Sequence, residues 1–465
     1  MAIDSDISGS LEAECATQAT SCIQETDLKS HDYDDEDKYG ELILLGYNGS
    51  QESTRSNSHG RKHKSRMLVC KRKVGNGIKK GCSSSIKGPP RQNQAVKDST
   101  RHIVSYSYNR THTVLVEFVP DASKDMFQIG RSSEPQIDFT VVDTWLAAGS
   151  NALLSPDKDM YRKRPVSSTI SRYACRIQID RDKPHRAYLF AAGFDASKNI
   201  FLGEKATKWT KKNGDVDGLT TNGILILHPH QLKKMDDLNG YDDSRNMYLW
   251  REVSVDGDVY KLRKTRSSTI RGDLVAEETN ELQDGTLIDL CGATLLWRTQ
   301  DGLRNSPSRE DLESALDALN AAKPQCPVNL NTLRVPRRKS SRYSNSSKQP
   351  YVYLNCGHVQ GKHDWGFHNV SNMPLYTCPI CRMDSNRVIQ LVMGMESAFH
   401  LDSESLNYAF NPCGHVASFA TVRYWSRIPL PHGTNSFYPV CPFCTSLLSE
   451  EKPYVRLIFQ DHCYD

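Results

Sequence analysis

The 465-residue sequence lacks a long apolar run: no stretch approaches the eighteen consecutive apolar residues that a membrane-spanning helix needs. Its first residues also lack the basic and apolar segments of a secretory signal peptide. No membrane association is expected, and the expected location is the cytoplasm. In that reducing compartment, the 14 cysteines are expected as thiols and metal ligands rather than as disulfides.

Residues 51–100 contain no Phe, Tyr or Trp, and they hold 13 Lys/Arg against 2 Asp/Glu. Without aromatic side chains, this basic window cannot stack on nucleobases and has little to bury. It is therefore interpreted as a solvated insert, and nucleic-acid binding is not expected. The alternative is that its basic runs, residues 61–66 and 71–73, serve as a nuclear-import signal and so allow nuclear access. The glycines of residues 75–81 resemble a dinucleotide-binding loop. However, no strand precedes them and no helix follows, which favours a flexible insert.

Short β-type runs recur from Tyr39 to Trp297, separated by Gly, Asn and Asp. No amphipathic helix lies between them, which argues against βαβ units and predicts an antiparallel sandwich. Among the runs are YGELILLGY, HIVSYSY, TVLVEFV, MFQIG, RAYLFAAG, ILILH, MYLWREVSV, TLIDL and ATLLW. The predicted fold class is mainly β, with the sandwich in residues 39–300, inserts at about 53–100 and 143–168, and a disordered acidic tail in residues 1–38.

One amphipathic helix is predicted after the sandwich. Ser308 and Asp311 have the spacing of a capping box, apolar residues follow at helical intervals, and Pro324 ends the pattern. Residues 334–349 are basic and rich in serine, which is typical of a linker. Residues 301–350 are therefore predicted as a helix and a flexible linker, and residues 351–465 as a separate C-terminal domain.

The C-terminal domain contains one Cys/His motif twice. Cys-Gly-His is followed after 19 residues by Cys-Pro-Ile-Cys, and a second Cys-Gly-His is followed after 25 residues by Cys-Pro-Phe-Cys. Eight such ligands in four close pairs are what two tetrahedral Zn²⁺ sites require, whereas a redox dithiol predicts no Cys-Gly-His partner. The spacing permits sequential or cross-braced pairing. The predicted ligands are Cys356, His358, Cys378, Cys381, Cys413, His415, Cys441 and Cys444.

This motif resembles the second metal site of RING domains. Ser418 and Thr421 stand where an ordinary RING has two further cysteines, so the remaining site must take ligands from the first motif copy. The resemblance implies a small two-zinc RING-like domain that holds a ubiquitin-charged conjugating enzyme and needs no nucleophile of its own. It places Arg382 and Trp425 as contacts to that enzyme or to ubiquitin. The alternatives are a solvated Arg382 and a core position for Trp425.

Three loops of the predicted sandwich carry Gly-Arg, Ser-Arg and Thr-Thr-Asn-Gly, a pattern that resembles forkhead-associated (FHA) domains. Each fragment alone would be read as an ordinary turn. The resemblance implies that guanidinium and hydroxyl groups would bind a phosphothreonine, while an asparagine binds the peptide main chain. The candidate residues are Arg131, Ser171, Arg172, Thr221 and Asn222. Ala174 stands where the FHA pattern has a histidine that supports the binding loop.

From about Tyr39 onward the chain is similar to the Pellino family of ubiquitin-protein ligases, for example in YGELILLGYNGS, MFQIGRSSEPQIDF, AAGFDASKNIFLGEKATKW and YWSRIPLPHGT. The resemblance implies that the FHA domain docks on phosphorylated receptor-associated kinases of the Pelle type. It further implies that the RING-like domain builds ubiquitin chains on them in Toll and interleukin-1 receptor signalling. It also implies that the inserts form a wing on the FHA domain.

Two functional hypotheses follow from different classes of protein. The first is a ubiquitin ligase, and the second is a phosphate-dependent scaffold whose zinc domain is purely structural. A DNA-binding zinc protein is disfavoured because the last domain lacks a basic recognition helix. Autoubiquitination with a panel of conjugating enzymes would separate the first two.

Overall fold

The computed structural model describes residues 37–47, 66–142, 168–229, 250–322, 324–337, 348–370, 373–432 and 436–460. The predicted acidic tail lies outside the described residues except for residues 37 and 38, and the predicted insert at 143–168 lies outside them except for residue 168. Within the described ranges, no helix combines the length and apolar character needed to cross a membrane.

The N-terminal part contains seventeen described strands and two short helices before the predicted helix. The elements are β1 (Lys38–Tyr47), β2 (Arg66–Cys70), β3 (Gly77–Ile86), α1 (Gln94–Lys97), β4 (His102–Asn109), β5 (His112–Asp121), β6 (Lys124–Gly130), β7 (Phe139–Thr140), β8 (Cys175–Asp180), β9 (Ala187–Ala191), β10 (Asn199–Leu202), β11 (Lys208–Thr210), β12 (Val216–Gly218), β13 (Ile224–Leu227), β14 (Arg251–Val253), β15 (Val259–Lys261), β16 (Leu287–Asp289), β17 (Ala293–Thr299) and α2 (Gln300–Arg304).

The C-terminal part begins with the predicted helix and continues with short strands. Its elements are α3 (Arg309–Ala321), β18 (Tyr351–Tyr353), β19 (Val359–Gln360), β20 (Phe367–Val370), β21 (Met373–Thr377), β22 (Asp384–Ser385), β23 (Val388–Gln390), β24 (Val392–Met393), β25 (Tyr408–Phe410), β26 (His415–Ala417), α4 (Phe419–Trp425), β27 (Pro429–His432), β28 (Ser436–Pro439) and β29 (Tyr454–Arg456).

The predicted β-sandwich is confirmed. A seven-stranded sheet has the order β15-β14-β13-β16-β17-β1-β2, and two four-stranded sheets have the orders β10-β4-β5-β3 and β7-β6-β8-β9. One buried cluster draws side chains from all three sheets, including Leu42, Tyr106 and Ile177. Most pairings are antiparallel as expected, but β10 pairs with β4 and β6 with β7 in parallel.

The central strands of the seven-stranded sheet are buried on both faces. Along β1, Leu42 and Leu44 belong to the sandwich core, while Ile43 and Leu45 belong to a second cluster that includes side chains of the C-terminal domain. The same alternation holds along the apolar run ILIL of β13. Neighbouring side chains of a strand point to opposite faces, so an uninterrupted apolar strand requires cover on both sides. Here the C-terminal domain supplies the second cover.

The interpretation of the basic window as a flexible insert is wrong for residues 66–86. Strand β2 pairs with β1, and Met67 and Val69 are buried in the sandwich core. Strand β3 pairs with β5 along most of its length. The glycines at its start pack against backbone, since a Cβ on Gly75 would lie 2.3 Å from the carbonyl oxygen of Ala122. Because β3 exposes most of its side chains, it carries little apolar alternation for a sequence pattern to detect.

Charges in this window are also paired rather than free. Lys80 Nζ lies 3.0 Å from Asp215 and 3.1 Å from Asp256. The Arg72 guanidinium contacts Asp138 and donates to the carbonyl of Met126. A local excess of basic residues in the sequence is thus partly neutralised by acidic residues that are distant along the chain.

The predicted helix is confirmed as α3, with the full capping box between Ser308 and Asp311. Its apolar residues Leu312 and Leu316 pack in one cluster with Val352 and Val455 of the C-terminal domain. The helix is therefore part of that domain's core. The helix and its place between the sandwich and the Cys/His motifs were predicted correctly, but α3 does not belong to a linker.

The linker prediction for residues 334–349 disagrees with the described residues at both ends. Val335 is buried, and its amide donates to Asn320 Oδ1 of α3. The amide of Arg334 donates to the carbonyl of Lys348 at 2.9 Å, so the two ends of the segment meet. Because both described ends of the segment lie next to each other in the same domain, the segment does not separate two domains.

Candidate metal centres and phosphate-binding loops

The eight predicted ligands form two groups. Within each group, all ligand atoms lie within 4.8 Å of one another. The first cluster consists of Cys356, His358, Cys378 and Cys381. The second cluster consists of Cys413, His415, Cys441 and Cys444. Of the two pairings that the spacing allowed, the structure has the sequential one.

Each cluster is built from the same two turns. In Cys-Gly-His, Gly357 and Gly414 have φ of 81° and 76°, and a Cβ on either would strike a carbonyl oxygen. After Cys-Pro-x-Cys, Arg382 and Thr445 have φ of 64° and 60°, and their amides donate to the carbonyls of Cys378 and Cys441. The repeated sequence motif therefore produces a repeated backbone geometry that aims four side chains at one point.

The distances between ligand atoms fit a tetrahedral metal ion. His415 Nδ1 lies 3.4 Å from Cys413 Sγ and 3.7 Å from Cys441 Sγ, and His358 Nδ1 lies 3.7 Å from Cys378 Sγ. Ligands at about 2.3 Å (sulfur) and about 2.0 Å (nitrogen) from one ion are roughly 3.5 Å apart at the tetrahedral angle. Three thiolates and one imidazole form a donor set that suits Zn²⁺.

Burial favours the protonated form of two of the cysteine ligands. Burial raises the pKa of the Cys413 thiol to about 12, and burial is also the main cause that raises the pKa of Cys356 to about 12. At neutral pH such thiols would stay protonated, whereas a bound divalent cation displaces their protons. A cation bound by these clusters would therefore keep the thiolates of Cys413 and Cys356 ionised at neutral pH.

Ser418 and Thr421 lie outside both clusters. Ser418 is the N-cap of α4, and its hydroxyl accepts from the amide of Thr421 at 3.2 Å and contacts Thr421 Oγ1 at 3.0 Å. These positions cap a helix rather than bind a metal. The first cluster takes its other pair of ligands from Cys356 and His358 instead, as the departure from the RING pattern predicted.

Arg382 lies on an exposed surface beside the first cluster. Its guanidinium carbon stacks 4.8 Å from the centre of the Trp365 ring, a cation–π contact. Ile380 and Met383 are also exposed, at 40% and 49% of their full areas. Arg382 is thus accessible and held in place by Trp365, as a contact residue would need to be.

Trp425 is a core residue. Only 2% of its surface is exposed, and its ring packs edge-on against Phe399. Of the two interpretations that the sequence allowed for Trp425, the structure has the core position, so this side chain is not available to a partner.

The three candidate phosphate-binding loops meet at one edge of the sandwich. The side chain of Asn222 donates to the carbonyl of Thr169 at 2.6 Å and to Ser171 Oγ at 3.2 Å. The amide of Arg131 donates to the carbonyl of Ser171 at 3.1 Å. The structure therefore brings together all the residues that the FHA resemblance implied. Arg131, Arg172 and Thr221 are exposed, and Ser171 and Asn222 are half-buried.

Backbone contacts hold the loops without the missing histidine. Ala174 is buried, and its amide donates to the carbonyl of Ile129 at 2.8 Å. The amide of Ser132 donates to the carbonyl of Arg172, and a Cβ on Gly130 would lie 2.0 Å from that oxygen. Glycine at position 130 lets the Arg131 loop and the Arg172 loop approach each other closely enough for these bonds.

Arg266 is a residue of this site that the sequence interpretation missed. Its Nη1 donates to the carbonyls of Asn222 and Gly223, at 3.1 Å and 3.3 Å, and its Nη2 is paired with Asp289. It thereby fixes the turn that carries Asn222. No motif marks Arg266, because its partners come from two other parts of the chain, at residues 222–223 and at residue 289.

Glu134 and Tyr173 add an acidic group near the Arg172 side chain. The Tyr173 hydroxyl donates to Glu134 Oε1 at 2.7 Å, which lowers the pKa of that carboxyl. Burial and the bond to Glu134 raise the pKa of Tyr173 to about 12. The Arg172 guanidinium lies 5.6 Å from the Tyr173 ring, so this pair borders the basic loop.

Comparison with known proteins matches both parts of the chain. The FHA domain model of the Pellino family matches residues 30–315, and the Pellino RING domain model matches residues 319–464. The chain is 48% identical over 425 residues to "Protein pellino" of Drosophila melanogaster, covering 91% of this chain and 93% of that protein. It is 47% identical over 423 residues to the human "E3 ubiquitin-protein ligase pellino homolog 2", covering 91% and 95%. The mouse "E3 ubiquitin-protein ligase pellino homolog 3" is also 47% identical over 423 residues, covering 91% and 90%.

Proposed function

The chain belongs to the Pellino family of E3 ubiquitin ligases, with an FHA domain and a RING domain, and from that premise we propose its substrate and its mechanism. The proposed substrates are phosphorylated receptor-associated kinases of the Pelle type in Toll and interleukin-1 receptor signalling. The FHA domain selects them in the cytoplasm through a phosphothreonine. The RING-like domain then positions a ubiquitin-charged conjugating enzyme so that ubiquitin passes to a lysine of the kinase.

The main support for phosphothreonine recognition by the FHA domain is that three loops converge on one edge of the sandwich. Arg131 and Arg172 expose their guanidinium groups there, next to Ser171 and Asn222. A phosphothreonine dianion favours charge-assisted hydrogen bonds from guanidinium groups on a rigid rim. Asn222 is held against Thr169 and Ser171, so its side chain starts in an ordered position.

The two clusters support a positioning mechanism. We propose that each binds one Zn²⁺ and that the two ions are structural. Four protein ligands complete a tetrahedral site, so no position remains for a catalytic water. The ions thus hold the turns that present Arg382, and the rate acceleration comes from orienting the charged conjugating enzyme. Arg382 is the proposed contact to that enzyme or to ubiquitin.

The test compares ubiquitin transfer by the full chain to a phosphorylated and a dephosphorylated Pelle-type kinase, with a panel of conjugating enzymes. Arg131→Ala should abolish modification of the phosphorylated kinase and leave autoubiquitination intact. Cys378→Ala should abolish both. Arg110→Ala, at an exposed turn of the sandwich, is the matched control and should change neither. Phosphate-dependent binding without transfer by any enzyme of the panel would instead favour the scaffold hypothesis.

A further inference from the structure

The RING-like domain is seated on the outer face of the seven-stranded sheet. Ile43 and Leu225 of the sandwich share one buried cluster with Phe410 and Val422 of the RING-like domain. Trp250 belongs to the same cluster and is fully buried, and its Nε1 donates to the carbonyl of Pro429 at 2.6 Å. The contact therefore combines a buried apolar centre with a directed hydrogen bond.

Polar contacts surround this apolar centre. Arg298 Nη1, at the end of β17, donates to the carbonyl of Ala398 at 2.9 Å. Arg66 of β2 pairs with Glu396 and lies 3.3 Å from Ser397 Oγ. A buried apolar centre with hydrogen bonds at its edge is the anatomy of a specific interface rather than of a loose contact.

The chain between the two domains is short and anchored. Strand β17 runs directly into α2, and α3 begins after four further residues. Arg298 Nη2 donates to the carbonyl of Gly302 and contacts Ser306, so one side chain holds the connection and the RING-like domain together. Since Arg334 and Lys348, at the two described ends of the predicted linker, are hydrogen-bonded to each other, no part of the described chain acts as a flexible tether between the domains.

One backbone position at the interface is occupied by a glycine for lack of space. A Cβ on Gly46 of β1 would lie 2.6 Å from Thr445 Cγ2 and 3.6 Å from Thr445 Cβ. Gly46 has no positive φ, and the atoms that its Cβ would meet within 4 Å, apart from its chain neighbours, both belong to Thr445 of the RING-like domain. A side chain at position 46 would therefore push against Thr445 and separate the two domains.

We propose that this interface fixes the separation between the phosphate-binding loops and the Arg382 surface, so that ubiquitin reaches lysines only within a narrow range of distances from the phosphothreonine. The inference rests on the proposed function, because it assumes that both surfaces are used. Gly46 and Trp250 are then positioning residues for the transfer. Two domains on a flexible tether would sample many separations and accept lysines over a wide range.

The test uses phosphothreonine peptides with a single lysine set off by rigid proline spacers, in which each residue adds about 3.1 Å. The measured quantity is the rate of ubiquitin transfer by the full chain as a function of spacer length. The wild type should show one optimum, with rates falling about tenfold or more at other lengths. Gly46→Leu should flatten the profile to within about threefold, because the separation becomes variable.

Matched variants separate positioning from general damage. Gly203→Leu is the control, since a Cβ at Gly203 meets nothing within 4 Å. It should keep the wild-type profile. In a milder pair, Gly46→Ala should broaden the profile, and Thr445→Ser in the same chain should restore it. Serine keeps the hydroxyl that donates to the carbonyl of Cys444 and removes only the methyl group that Gly46→Ala strikes.

The outcomes distinguish this inference from the proposed function. Transfer that is independent of the phosphate at every spacer length would contradict the proposed function. Transfer that needs the phosphate but proceeds equally at all lengths would overturn the fixed separation alone. A sharp profile that Gly46→Leu and Gly46→Ala both leave unchanged would also overturn the fixed separation.

Discussion

The indole Nε1 of Trp425 donates a hydrogen bond of 2.8 Å to the carbonyl of Phe399. This bond joins helix α4 to the segment before β25, and the Phe399 ring packs edge-on against the indole. Phe399 in turn packs against Phe443, which lies between two ligands of the second cluster. Trp425 therefore supports the second cluster from within.

The first prediction follows from that position. Trp425→Ala should lower the free energy of unfolding by about 3 to 5 kcal/mol, because it leaves a large cavity and removes the hydrogen bond to the Phe399 carbonyl. Trp365→Ala is the control of equal size, and it should cost much less because 40% of the Trp365 surface is exposed. Denaturant unfolding measures both. Equal losses would contradict the core assignment of Trp425.

The second prediction concerns metal content. Elemental analysis of the purified full chain should give two zinc ions, and a chelator should lower its melting temperature because structural zinc contributes directly to folding. Cys378→Ser should reduce the content to about one zinc ion, since it removes one ligand of the first cluster. Cys82→Ser, at an exposed cysteine of β3, should keep both ions. A wild-type content of one or none would show that the clusters do not both hold zinc.

The third prediction concerns the phosphate-binding loops. Arg131→Ala should weaken binding of a phosphothreonine peptide about tenfold or more, because a charge-assisted hydrogen bond contributes about 1.5 to 3 kcal/mol. Its melting temperature should stay that of the wild type, since Arg131 is exposed. Isothermal titration with phosphorylated and unphosphorylated peptides provides the measurement. If the wild type bound both peptides equally, the assignment of these loops would fail.

The fourth prediction concerns acid stability. Burial, with Lys198 and Arg176 as nearby cations, lowers the pKa of His102 from 6.5 to about 4. The folded state therefore favours neutral His102, so this contribution is complete above pH 6.5 and is lost as the pH falls toward 4. After allowance for its partial exposure, the loss is about 2 kcal/mol.

The measurement is the free energy of unfolding of the wild type and of His102→Gln between pH 7.5 and 4.5. As the pH falls, the free energy of unfolding of the wild type should decrease relative to that of His102→Gln. Loss of metal affects both chains alike. His112→Gln, at an exposed histidine of β5, should show no such shift relative to the wild type. A constant difference between the wild type and His102→Gln would rule out a half-buried His102 that stays neutral in the folded state.

The sequence determined the features that depend on neighbouring residues. Apolar runs bounded by turn residues predicted most sandwich strands, and a capping box with Pro324 predicted α3. The paired Cys/His motifs predicted the ligands because each motif forms a local turn, with Gly357 and Gly414 at positive φ, that places its own two ligands close together. The residues at the phosphate-binding loops were implied by three short fragments that resemble FHA loops, each of which is also local in the sequence.

The tertiary structure decided what depends on residues far apart in the chain. Strand β3 is held by pairing with β5 and has little pattern of its own, and residues 334–337 look like a linker until Asn320 and Lys348 bind them. Sequential pairing of the metal ligands required distances that spacing cannot give. Above all, the sequence shows that Ile43 and Leu225 are apolar and lie in apolar strands. The surface that covers them comes from a domain more than 150 residues later in the chain. Apolar burial is not directional, so a sequence shows that a face must be covered while only the fold shows by what.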